Sequence, residues 1–79
     1  MTSERLIEML DAKPFHPFDI RLADGRAIRV QHPEFVARSP SGRTAVVFQP
    51  DDSMTVLDVF LAVSLDRVTP RRGESRRQR

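Results

Sequence analysis

Apolar positions along the chain follow two different periods, and the change falls at Pro14. Before it, Leu6, Ile7, Met9 and Leu10 are spaced by one, three and four residues, so they share one helical face. Thr2 or Ser3 can accept from the open N–H groups of a first turn, and Glu4 lies near the positive end of the helix dipole. Pro14 disfavours helical geometry at Lys13 and supplies the stop. The pattern predicts a helix of about two to three turns, too short to persist alone, which must dock its stripe against the rest of the fold.

After Pro14 the period drops to two. Phe18 to Leu22 and Arg26 to Val30 each alternate apolar with polar, and Ala23, Asp24 and Gly25 lie between them. Parity selects the connection. A two-residue Asp24-Gly25 loop sets Arg21 opposite Ile28 on one face, whereas a three-residue loop pairs Ile20 with Ile28 and Phe18 with Val30. The expectation is a type I turn with a G1 bulge and Gly25 in the left-handed region. Further on, Glu34 to Ala37 reads as a strand fragment and Ser39-Pro40-Ser41-Gly42 as a turn. Arg43 to Phe48 reads as a strand, Pro50 to Ser53 as a second turn, and Met54 to Leu57 as a further strand. Asp58 to Ala62 fits either a continued strand or one helical turn, and Val63 to Val68 alternates again. The candidate core is Phe18, Ile20, Leu22, Ile28, Val30, Phe35, Val47, Leu57, Leu61, Val63, Leu65 and Val68; the pattern leaves open whether Val46 or Val47 points inward. The predicted class is mainly β: a short N-terminal helix followed by about five antiparallel strands in a small SH3-like or Sm-like barrel or bent sheet.

Length and composition narrow the function classes. Seventy-nine residues make one small domain, and with no cysteine neither a disulfide framework nor a thiolate zinc site is available. Packing alone must stabilise a chain of a size at which a single core is marginal, which raises the prospect of self-association. No apolar run approaches the roughly 20 residues of a membrane span, and residues 1–13 are too charged for a secretory leader, so a cytoplasmic protein without membrane partners is expected. The net charge of +2 divides unevenly. Residues 1–69 carry eight basic and ten acidic side chains, whereas residues 70–79 carry five arginines against Glu74. The expected organisation is a near-neutral domain, 1–69, followed by a disordered Arg-rich tail, 70–79, which lacks the apolar residues needed to offset ordering entropy.

Candidate chemistry is sparse. His16 and His32 lack the spacing of a metal or general-base site, Asp51 and Asp52 read as a solvated turn, and Ser41-Gly42-Arg43-Thr44 lacks the lysine and glycine spacing of a phosphate loop. No nucleophile or carboxylate dyad is recognisable, so no enzyme, metal or cofactor is expected. Phe15 and Phe18, flanking Pro17, either stack on bases or pin the helix to the sheet. Arg21, Arg29 and Arg67 are read as sharing one strand face, interrupted by Asp19 and Asp66.

The strings Pro14-Phe15-His16-Pro17-Phe18, Leu22-Ala23-Asp24-Gly25-Arg26, His32-Pro33-Glu34-Phe35-Val36 and Ser41-Gly42-Arg43-Thr44 resemble a family of short bacterial proteins over residues 4–68. That family has no assigned activity and implies no ligand. The order of elements and the Asp-Gly turn after the first strand are also similar to Sm-like RNA-chaperone barrels, whose RNA-contacting motifs this sequence lacks. Two functions follow as expectations. The first is a non-catalytic interaction or accessory module that meets another protein or a second copy of itself. The second is a small nucleic-acid binder using Arg21, Arg29 and Arg43 on the domain with Arg71, Arg72, Arg76, Arg77 and Arg79 of the tail. Asp24, Gly25 and Gly42 are assigned to turns.

Overall fold

The alternating segments fold as antiparallel strands and the leading apolar stripe as a helix, across the residues 3–68 that the computed structural model describes. Helix α1, Ser3–Asp11, buries Leu6 and Leu10. Ser3 is thus its first described residue, and Thr2 lies outside the described range. The strands are β1 Phe18–Leu22, β2 Ala27–Val30, β3 Val36–Arg38, β4 Thr44–Phe48, β5 Met54–Asp58 and β6 Ala62–Arg67. They form two three-stranded sheets, ordered β2-β1-β6 and β3-β4-β5, with every neighbouring pair antiparallel. Six strands form instead of about five because a 3-10 turn at Val59–Leu61 divides the last stretch between the sheets. Asp58 starts that turn by accepting from the Phe60 N–H at 2.9 Å. Among the described residues no strand ladder joins the sheets into a closed barrel. They meet where β2 and β4 approach, and the Gln49 side chain donates to the Arg29 carbonyl at 2.9 Å.

The first hairpin has the register that parity predicts, with Phe18 opposite Val30 and Ile20 opposite Ile28. Leu22 donates to the Arg26 carbonyl, Gly25 donates to the Leu22 carbonyl, and Gly25 has φ +95°. This is the type I turn with a G1 bulge. The β4–β5 connection repeats it one residue earlier than the turn residues imply, over Gln49 to Ser53, with Asp52 in the left-handed position at φ +74°. In both loops the preceding aspartate closes the turn, Asp24 accepting from the Arg26 N–H and Asp51 from the Ser53 N–H.

These contacts have a titration signature. The Arg26 backbone N–H holds the Asp24 carboxyl below its ordinary 3.8. The Ser53 hydroxyl, followed by the Ser53 backbone N–H, does the same for Asp51. A carboxyl lowered on folding stabilises the fold above its unfolded pKa, and the contribution is lost as pH falls through the lower folded value. Carboxyl-carbon NMR titration is expected to give both residues midpoints below those of an unstructured aspartate. Midpoints at or above that value would show that the loops do not hold the carboxylates.

Phe18, Ile20, Leu22 and Val30 of the first sheet pack against Ala45, Val47 and Leu57 of the second, with Leu6 and Leu10 of α1 against them. Val47 points inward and is fully buried, leaving Val46 on the opposite face. Four expected core positions differ. Ile28 and Leu65 are half-buried against the margin of the core, and Phe35 and Val68 are half-buried outside it. Two more are exposed, Leu61 and Val63 at 57% and 60%, while Val59 and Ala62 are buried in their place. The cause is a register shift. Arg21 lies opposite Ser64 but Leu22 opposite Ala62, so Val63 is an extra residue and the inward parity of β6 runs through Ala62 and Leu65. The same register places Arg67 opposite the inward Phe18, off the face that carries Arg21.

Among the described residues no helix is long and apolar enough to cross a membrane.

Candidate functional site

The two sheets have outer faces of opposite chemistry. On β2-β1-β6, Asp19 lies between Arg29 and Asp66, and Arg21 lies between Ala27 and Ser64. Arg29 donates to Asp19 through two nitrogens, and that hydrogen bonding raises the guanidinium pKa above its already high value. Arg21 Nε donates to Asp66 at 3.2 Å, and the Ser64 hydroxyl donates to the same carboxylate oxygen at 3.1 Å. The face is polar and internally neutralised, as expected of a sheet face in water.

The outer face of β3-β4-β5 is apolar. Alternation sends Ala45, Val47 and Leu57 inward, so Ala37, Val46, Phe48, Met54 and Val56 all project to the other side. Phe48 is directly opposite Met54 and Val46 opposite Val56, the arrangement in which cross-strand side chains touch. Phe48 is 41% exposed, and Met54 and Val56 are each 59% exposed. At one end Thr44 faces Asp58, whose carboxylate accepts from Arg43 Nε at 3.3 Å. The Arg43 guanidinium carbon lies 4.9 Å from the centroid of the Phe60 ring, which is itself 59% exposed. Apolar side chains therefore cover the middle and one end of the face, and its other end is closed by an ion pair whose guanidinium also lies over the exposed Phe60 ring.

The arginines expected to bind nucleic acid are engaged elsewhere. Arg21, Arg29 and Arg43 each pair with a carboxylate, so each brings little uncompensated charge to a phosphate. Arg71, Arg72, Arg76, Arg77 and Arg79 lie outside the described residues. Phe18 is fully buried, with the Phe15 ring tilted against it at 6.0 Å between centroids, which removes it as a stacking platform. His32 packs its ring edgewise on Phe35. Asp24, Gly25 and Gly42 sit in turns. Among the described residues no group of three or more His, Asp or Glu is placed to hold a metal ion, and the crevice lined by Leu6, Ile20, Leu57, Val59, Ala62 and Leu65 is apolar and too narrow for water. Comparison with protein-family models, curated proteins and solved structures gives no match.

Sequence reasoning singles out charged residues as site candidates and treats Val46, Phe48, Met54 and Val56 only as strand positions, leaving the facing of Val46 open. One signal pointed to them. Val46-Val47-Phe48 breaks the alternation seen in β1 and β2, and a strand that is apolar on both parities has two covered faces.

Proposed function

We propose that this protein is a non-catalytic protein-interaction module whose docking surface is the outer face of β3-β4-β5. The observation that carries the reading is the difference between the two outer faces. On β2-β1-β6 the outward arginines are paired with aspartates and the one large apolar side chain left in water is Val63 at the β6 bulge, whereas the outer face of β3-β4-β5 leaves Phe48, Met54 and Val56 in water together, with Phe60 in the adjoining turn. Flat apolar surface rimmed by an ion pair suits a protein partner, for which an apolar centre and a polar rim are the usual anatomy. Among the described residues, the cation at the rim of this surface, Arg43, is already paired with Asp58, which leaves it little charge to offer a phosphate. We read the architecture as an SH3-like arrangement of two small sheets bent around a shared core, supported by the β2–β4 approach and the Gln49 tie.

The test is co-purification from the native cell after brief cross-linking, with native chain and a Val56→Lys variant compared. The variant places a charge at the middle of the face, at a side chain that is 59% exposed. A protein recovered with the native chain and lost with Val56→Lys is the expected result. Equal recovery with both, or recovery of nuclease-sensitive nucleic acid in place of protein, would overturn the reading.

A further inference from the structure

We infer that the partner on this face is a second copy of the same chain, packed sheet to sheet about a two-fold axis that runs parallel to the strands between β4 and β5. The inference rests on the docking face proposed above and adds its occupant. Such an axis lays β4 of one copy over β5 of the other, so the chemistry of the two strands must match position by position. It does. Phe48 comes over Met54, an aromatic ring against a thioether, and Val46 comes over Val56. At the far end Thr44 and Arg43 of one copy come over Asp58 of the other, so a cation meets an anion twice, once on each side of the axis. The alternative axis, perpendicular to the strands, puts Phe48 and Met54 over the Arg43–Asp58 pair and desolvates it without a new partner.

The available area fits a weak dimer. A phenylalanine presents about 150–250 Å² when fully exposed, so Phe48, Met54, Val56 and Phe60 at their observed exposures, with Val46 and Ala37, offer on the order of 500 Å². Two such faces bury about 1,000 Å², the lower bound for a specific interface. The expected dissociation constant is on the order of tens of micromolar.

Sedimentation equilibrium of the purified full chain, from about 1 μM to 1 mM, tests the inference. The expected result is a monomer–dimer equilibrium that weakens at least about tenfold in Val56→Lys and in Met54→Glu, two variants whose folding is checked independently by circular dichroism. The sequence has no cysteine, so the register can be read directly. Phe48→Cys mixed with Met54→Cys and oxidised in air is expected to give the mixed disulfide in preference to either symmetric one. A native chain that remains monomeric at 1 mM overturns the inference, as does a dimer indifferent to both charge variants or a random mixture of disulfides. A monomeric native chain whose cellular partner is still lost with Val56→Lys removes only the second copy. A partner retained by Val56→Lys removes the docking face itself.

Discussion

Phe18→Ala is expected to remove most of the stability of this domain. Phe18 lies on β1, the central strand of its sheet, between Val30 on β2 and Arg67 on β6, and no part of it reaches solvent. Truncation takes away the apolar contact of a whole ring and leaves a cavity that β2, β6 and the tilted Phe15 ring can collapse into only in part. Such substitutions cost about 3–5 kcal/mol. A domain of this size has a total stability on the order of 3–10 kcal/mol, so the variant sits near or beyond its unfolding midpoint in water at 25 °C. Urea unfolding followed by circular dichroism checks it, with Phe18→Leu as a milder step expected to remain folded. A loss below about 1 kcal/mol for Phe18→Ala would mean that the two sheets do not share one core at this position.

The parts of this fold that the sequence made legible are those in which period and turn chemistry agree. In the first hairpin, alternation on both strands and a single glycine select the three-residue loop over the two-residue one, because the shorter loop would put Arg21 and Ile28 on one face. The helix stripe was legible for the same reason, since Leu6 and Leu10 are separated by one turn and Pro14 bounds the segment. What escaped was decided by tertiary pairing. Val63 leaves the core because β6 gains a residue opposite the Arg21-Leu22 step, and no local pattern in Val63 to Val68 announces that shift. The apolar outer face escaped for a different reason. Reading apolar residues as interior is sound for a domain with one covered face per strand, and it fails where a strand is apolar on both sides. The arginines attracted attention as charges, yet their neighbours across the sheet, Asp19 and Asp66, were already visible as interruptions of the stripe. Only the register showed that each interruption is a partner.

Gly42→Ala is expected to cost about 2–4 kcal/mol, clearly more than the roughly 1 kcal/mol expected for Gly25→Ala. Both glycines have positive φ, +78° and +95°, so each substitution forces an alanine into the left-handed region. They differ in what surrounds them. A Cβ at Gly25 meets nothing within 4 Å, whereas a Cβ at Gly42 falls 2.8 Å from Ser3 Oγ and 2.9 Å from Ser3 Cβ. The β3–β4 turn, held by the Gly42 N–H donating to the Ser39 carbonyl at 2.8 Å, therefore packs directly against the start of α1. An alanine there must push the first turn of the helix away or open its own turn, and either movement disturbs the end of β4 next to Arg43 and Asp58. Ser3→Gly removes the obstructing atoms. Denaturant unfolding of the two single variants and the double variant is expected to show Ser3→Gly recovering the steric part of the loss while the conformational part, about 1 kcal/mol, remains. Equal costs at Gly42 and Gly25, or no coupling between positions 3 and 42, would show that the helix start is not seated on this turn. If the coupling is found, the turn that anchors the only α-helix among the described residues also fixes the charged rim of the proposed docking face. Gly42→Ala should then weaken self-association as well as stability.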